Sequence, residues 1–343
     1  MHPDTMKAAV FYGPGRITVQ ERAVPDNGSS LLKVTSCTVC GYDVRVFQDG
    51  HGKVRPPVIL GHEICGETLE GLPSIAPGTR VAVYPILPCL HCGYCGRGQY
   101  NLCANRKEIG STIDGGFAEY VAVPEEIVKV GGLVPIPDSV TSEEAALIEP
   151  LACCLNGFTQ LGTIKPEHTV AVIGDGPIGL IHLQLSTNLF GAKTVVVGCN
   201  GQRMRMAELL GAHAVFDARQ AGADDVLQAA GETGFDVVVI AASDPAATEL
   251  AFKIAGRGSR VSLFAGRNAA KLDYGTLHYN QVSVIGSFSS LPRDLREAAR
   301  IAGERKVVEL SKMITHRFGL DQIHEALSAT ANYHGLRVAV SAR

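Results

Sequence analysis

The run Val170-Ala171-Val172-Ile173-Gly174-Asp175-Gly176-Pro177-Ile178-Gly179 decides the fold. An apolar stretch of strand character leads into glycines spaced G-x-G-x-x-G, and the helix-compatible stretch Leu180–Phe190 comes next. In this setting Gly174 permits a tight turn, Gly176 lets a pyrophosphate approach the backbone, and Gly179 lets helix and strand pack closely. Pro177 and Ile178 open the helix, where exposed N–H groups would meet the phosphates. An accidental glycine turn is the bland alternative, and the regular alternation of the surrounding chain argues against it. Strand-like runs at Thr169–Gly174, Thr194–Cys199, Ala214–Asp217, Asp236–Ala241, Arg260–Ala265 and Val282–Ser287 are mostly separated by helix-length segments. That alternation predicts an α/β fold with a doubly wound, six-stranded parallel sheet of Rossmann type.

The second strand addresses the 2′ position of the nucleotide. An NAD site carries Asp or Glu at that strand's end, about 20 residues beyond the glycines. Here the segment reads Val197-Gly198-Cys199-Asn200-Gly201, with no acid, and Arg203 and Arg205 come soon after. Without a carboxylate to repel it, a 2′-phosphate could be gripped by a guanidinium. The reading favours NADP(H) over NAD(H). Alternatively both arginines are solvated helix residues, and Asn200 holds a free ribose hydroxyl.

Upstream the texture differs. Lys7–Phe11, Leu31–Val34, Arg80–Val83 and Ala118–Val123 are short strand-like runs broken by Pro and Gly, which predicts a β-rich unit over residues 1–150. Residues 1–5 read as a leader ahead of Met6. Thr141-Ser142-Glu143-Glu144 has the form of a capping box. After Phe288 come polar helices (Arg293–Ala302, Asp321–Thr330) and a strand-like Arg337–Val340 that could join either unit.

The 343 residues are 46% hydrophobic, enough for sizeable cores, and Lys+Arg 31 against Asp+Glu 34 gives a net charge of −3. That balance supplies no general pull toward nucleic acid or anionic lipid. No apolar run reaches the roughly 18–20 residues that span a bilayer, and the N-terminus lacks the pattern of a signal peptide. The expectation is a cytoplasmic protein. Ten cysteines in a chain this long are too few for a disulfide scaffold.

Four of them form Cys89-x2-Cys92-x2-Cys95-x7-Cys103. Closely spaced thiolates on a glycine-rich loop can close tetrahedrally around Zn²⁺, a structural site with no position left for substrate. An iron–sulfur cluster or four bare thiols are the alternatives. Cys65, Cys153, Cys154 and Cys199 read as small buried residues. Glu149 sits in the apolar run Ala145–Cys154, where an isolated carboxylate would cost several kcal/mol. A metal ion, an arginine or an exposed position would each remove that cost.

Taken together, these pieces resemble the zinc-containing medium-chain alcohol dehydrogenases, in particular their polyol (sorbitol) and threonine branch. The matching segments are Cys40-Gly41-x-Asp43, Gly61-His62-Glu63, the four-cysteine lobe, Asp114–Tyr120, Ile148–Leu151, the glycine fingerprint and Gly286-Ser287-Phe288, in family order. The resemblance implies a catalytic Zn²⁺ held by Cys40, His62 and Glu149, with Glu63 close enough to enter the coordination sphere. It also implies cofactor contacts at Ser287 and Phe288, a second, structural zinc on the cysteine lobe, and a homodimer or homotetramer. The fold it implies is a GroES-like catalytic domain (1–150, rejoined by 290–343) with the Rossmann domain (151–289) inserted and the active site in the cleft. The implied reaction passes hydride between a secondary alcohol (polyol, sugar or modified sugar) or its ketone and the nicotinamide, with zinc polarising the substrate oxygen.

Tyr42 stands where the family usually has the Thr or Ser that relays the alcohol proton, and a phenol can still donate and accept. Arg45 replaces a frequent histidine and could recognise an anionic sugar. Ser289 replaces an arginine sometimes found after Gly-Ser-Phe. His51 reads as a loop residue or as a lining of the cleft entrance. A zinc-free reductase on the same fold would lack Cys40, His62 and Glu149 together. A non-catalytic nucleotide-binding protein has Tyr42 as its only hint.

Overall fold

The computed structural model describes residues 2–25, 30–231, 233–266, 272 and 274–342. The chain divides into two compact units. One comprises 1–152, 290–305 and 310–343; the other comprises 153–289 and 306–309.

In the second unit six parallel strands lie in the order Ala214–Asp217, Lys193–Gly198, Thr169–Ile173, Phe235–Ile240, Ala255–Leu263, Ser283–Gly286. This is the doubly wound order, with the strand leading into the glycine fingerprint at the switch point. Central parallel strands are covered on both faces, so they read as continuous apolar runs. Val170 to Ile173 and Val237 to Ile240 are all 4% exposed or less. Phe235, Val261 and the helix residues Ala251 and Ile254 complete the core on one side. The fingerprint helix runs Pro177–Gln184 and continues as a π-helical turn, Leu185–Leu189. Residues 306–309 join this unit through Glu309, whose N–H donates to Gln184 Oε1 at 2.7 Å.

The first unit is built on a seven-stranded sheet. Its order is Leu133–Pro135, Arg80–Val83, Glu63–Thr68, Ser30–Thr38, Arg337–Ser341, Ile314–Gly319, with Tyr120–Val123 also pairing with Ser30–Thr38. The C-terminal strand, which the sequence leaves free to join either unit, lies antiparallel to Ser30–Thr38, with Ala339 opposite Thr38. The sheet already begins ahead of Met6. Met1 lies outside the described residues, but Thr5 already pairs with Ala23, and Asp4 accepts from Val24 N–H at 3.0 Å. The capping box at Thr141 forms: Glu144 Oε2 accepts from Thr141 N–H at 2.8 Å, and Thr141 Oγ1 accepts from Glu144 N–H at 3.3 Å. Among the described residues no helix is long and apolar enough to cross a membrane.

Candidate active site

Cys40 ends an extended segment and caps the helix Gly41–Asp49. An acid three residues into a helix can reach back to its start, and Asp43 does so, accepting from Cys40 N–H at 2.9 Å. Its other oxygen accepts from Gly61 N–H at 3.3 Å and lies 3.5 Å from His62 Nδ1. Asp43 is fully buried and ties the Cys40 turn to the His62 turn. Gly61 has φ +91°, and a Cβ there would stand 2.8 Å from Cys37 Sγ and 3.0 Å from the Phe117 ring. Both backbone and space therefore demand glycine before His62.

Glu63 begins the next strand and is 1% exposed. Arg337, arriving on the C-terminal strand, donates to it at 2.9 and 3.0 Å, and Thr38 Oγ1 donates to it as well. The ligating atoms of Cys40, His62 and Glu63 lie within 4.8 Å of one another. Glu149, second residue of the helix Ile148–Leu161 and 6% exposed, is outside that group. Its charge nevertheless acts on Arg337, as do those of Glu63 and Cys40, so the guanidinium stays protonated despite burial. Burial also works against the His62 imidazolium, but Asp43 and Cys40 beside it hold its pKa well above the ordinary value. A site that attracts a proton this way also attracts a divalent cation, which would reverse the shift. Thiolate, imidazole and carboxylate are a donor set suited to zinc.

Tyr42 packs edge-on against His62 and His51, with ring centroids 5.8 and 5.4 Å away. Its hydroxyl lies 3.0 Å from Ser111 Oγ, and burial pushes its pKa up. Arg45 and His51 are exposed, and the Arg45 guanidinium folds back to 3.6 Å from the Cβ position of Gly41.

The four cysteine sulfurs of the lobe also lie within 4.8 Å of one another, with Cys92 and Cys103 at 3.9 Å. A disulfide needs about 2.05 Å. A tetrahedron of Zn–S bonds of about 2.3 Å has an edge near 3.8 Å, so the spacing fits a metal cage. The His91 backbone N–H lowers the Cys89 pKa to about 6, whereas burial pushes Cys95 up to about 12.

In the other unit Gly176 caps the fingerprint helix. A Cβ on Gly179 would stand 1.8 Å from Gly174 O, whereas one on Gly176 would meet only Arg203 Nη1 at 3.9 Å. Strand and helix therefore touch, while the turn stays open on the side where a pyrophosphate would lie. Asn200 spends its side-chain oxygen on the next helix, accepting from Gln202 and Arg203 N–H at 3.1 and 3.2 Å. Arg203 is buried and Arg205 exposed. Ser287 Oγ is buried with no hydrogen-bond partner among the described residues, while Phe288 is 44% exposed. Cys65 and Cys154 are buried and Cys153 is half-buried. Cys199 is exposed, contrary to the reading of it as a core residue, because the chain leaves the sheet at Gly198.

Comparison with known proteins gives matching results. The family model of the alcohol dehydrogenase GroES-like domain matches residues 26–138, and that of the zinc-binding dehydrogenase matches 177–304. A sorbitol dehydrogenase of Halalkalibacterium halodurans is 31% identical, covering 97% of this chain and 98% of its own. The chain belongs to the zinc-containing medium-chain alcohol dehydrogenases, in their polyol and threonine branch. Galactitol 1-phosphate 5-dehydrogenase of Escherichia coli is 30% identical, over 94% of this chain and 95% of its own. Among solved structures, a protein described as a zinc-binding dehydrogenase from Sinorhizobium meliloti 1021, bound to NADP, has a TM-score of 0.89 and 33% identity. That match covers 99% of this chain and 100% of the other.

This medium-chain dehydrogenase therefore pairs a GroES-like unit with a Rossmann-type unit and is an NAD(P)-dependent alcohol or polyol oxidoreductase that uses zinc. Neither a zinc-free reductase nor a non-catalytic nucleotide-binding protein finds support in these likenesses. Asp43 and Arg337 are the functional residues that sequence reasoning passes over. Asp43 belongs to the segment Cys40-Gly41-x-Asp43, where an acid three residues after the cap is the available signal. Nothing near Arg337 in the chain announces its partner.

Proposed function

We propose that this dehydrogenase oxidises a secondary alcohol of a polyol, sugar or modified sugar, or reduces the matching ketone, with NADP(H) in preference to NAD(H). The carrying observation is the convergence of the ligating atoms of Cys40, His62 and Glu63, with Asp43 tying the Cys40 turn to His62. In this reading Cys40, His62 and Glu149 would hold the catalytic zinc with Glu63 near enough to join them, while Cys89, Cys92, Cys95 and Cys103 would hold a structural one. Charge supports it: Arg337 offsets Glu63, the Cys40 thiolate and a carboxylate would offset the cation, and Asp43 beside His62 adds one further negative group.

When bound, zinc would supply Lewis acidity toward the alcohol oxygen, and the nicotinamide would be the hydride acceptor. Asp43 lies beside His62 Nδ1, so Nε2 would be the nitrogen available to a metal. Tyr42 accepts the alcohol proton and passes it toward Ser111, to which its hydroxyl is hydrogen-bonded. The open Gly176 turn receives the pyrophosphate, Arg203 supports the nucleotide beside it, and Ser287 and Phe288 contact the cofactor. Exposed Arg45 favours substrates carrying a negative group, in line with the phosphorylated polyol in a relative's name. We place the protein in the cytoplasm as a homodimer or homotetramer.

The deciding experiment is a panel of alcohols, free sugars and phosphorylated polyols, each offered with NAD and NADP to zinc-replete protein. Turnover of a polyol, faster with NADP, is expected. No turnover with any member would overturn the reading.

A further inference from the structure

The end of the second cofactor strand, Lys193–Gly198, lacks an acid in the chain but not in space. Asp175, the second residue of the fingerprint, is 6% exposed. Its Oδ2 accepts from the backbone N–H of Cys199 at 2.8 Å and of Asn200 at 2.7 Å. A Cβ on Gly198 would stand 2.5 Å from that oxygen, so the glycine makes room for the carboxylate. Among the described residues Oδ1 carries no hydrogen bond. The acid therefore stands where a dinucleotide-binding sheet reads the ribose 2′ position, delivered from the neighbouring loop instead of from the strand itself.

Two cations stand near the same strand end. Arg203 and Arg219 both act electrostatically on Cys199 at the strand end, as do Asp175 and Asp217. Arg219 is fixed there by Asp217, to which it donates at 2.9 and 2.6 Å.

We propose that Asp175 is the specificity-determining carboxylate of the cofactor site, accepting a bond from a 2′-hydroxyl and opposing a 2′-phosphate that Arg203 and Arg219 attract. This rests on the reading of the fingerprint as a dinucleotide site. The relative affinity for NADPH and NADH then depends on these opposed charges, and removing one of them shifts it.

The test is calorimetric titration of the intact zinc-loaded protein with NADH and with NADPH, for the native chain, Asp175→Asn, Asp175→Ser and Arg219→Gln. Asparagine keeps an oxygen for the Cys199 and Asn200 N–H groups, so the loop retains its anchor. Both Asp175 variants are expected to lower the ratio Kd(NADPH)/Kd(NADH) by about tenfold or more, the factor given by about 1.4 kcal/mol. Arg219→Gln is expected to raise it. If both dinucleotides bind and the ratio is unmoved in both Asp175 variants, the assignment is wrong while the dinucleotide site stands. If neither binds the native chain, the dinucleotide reading is wrong and the assignment goes with it.

Discussion

Arg337 and Glu63 form a buried ion pair, 2.9 Å between Nη1 and Oε1, with side chains 5% and 1% exposed. They are brought together by the C-terminal strand lying beside Ser30–Thr38. Removing one partner of such a pair leaves an uncompensated buried charge, which costs about 3–5 kcal/mol. Arg337→Met is therefore expected to lower stability by about that amount in chelator-treated protein, measured by urea unfolding. The double variant Glu63→Gln/Arg337→Met is expected to recover more than half of the loss. A double variant no more stable than the single one would mean the pair is not what holds these strands.

Asp43 touches the Cys40 turn and lies beside His62, two of the residues proposed to hold the metal. Loss of such an outer partner weakens metal affinity about 10–100-fold. Asp43→Asn should show this in competition with a chromogenic chelator. Unchanged zinc affinity would separate Asp43 from the metal centre.

The two clusters of ligating atoms share no residue. Elemental analysis is expected to give two zinc ions per chain, one in Cys40→Ser and one in Cys95→Ser. The Cys95 variant should also melt lower, since the loop loses the ion that closes it. A native protein with one zinc would remove one of the two sites.

Tyr42 and Ser111 share a hydrogen bond of 3.0 Å beside His62. General acid–base groups contribute about 10²–10⁴-fold to rate. Tyr42→Phe should lower kcat within that range with little change in KM, and Tyr42→Ser, restoring a hydroxyl, should recover part of it. Equal rates for Tyr42→Phe and the native enzyme would exclude the phenol from proton transfer.

His182 is fully buried in the cofactor unit, its ring 5.1 Å from Phe158 and 4.7 Å from Phe264, with both nitrogens lacking hydrogen-bond partners among the described residues. Burial lowers its pKa to about 3. The unfolded chain takes up this proton near pH 6.5 and the folded chain does not. Stability from this group is thus present above pH 6.5 and is lost as pH falls toward about 3, by about 1.4 kcal/mol per unit. His182→Phe should remove that slope, gaining about 2 kcal/mol on the native protein between pH 6.5 and 5. Parallel stability curves would refute the neutral buried state.

Local patterns were legible because their physics is local. The fingerprint, the Cys89–Cys103 lobe and the Thr141 capping box each lie within one turn or loop, so spacing alone constrains them. The six cofactor strands showed as apolar runs because parallel strands are covered on both faces. Only the tertiary structure decided which distant groups meet. It put Glu63 beside Cys40 and His62, and set Arg337 on Glu63 across most of the chain's length. It also carried Asp175 to a strand end that the sequence shows as bare of acid. Partners such as these are fixed by strand register and by the space a glycine leaves, quantities that exist only once the sheets have formed.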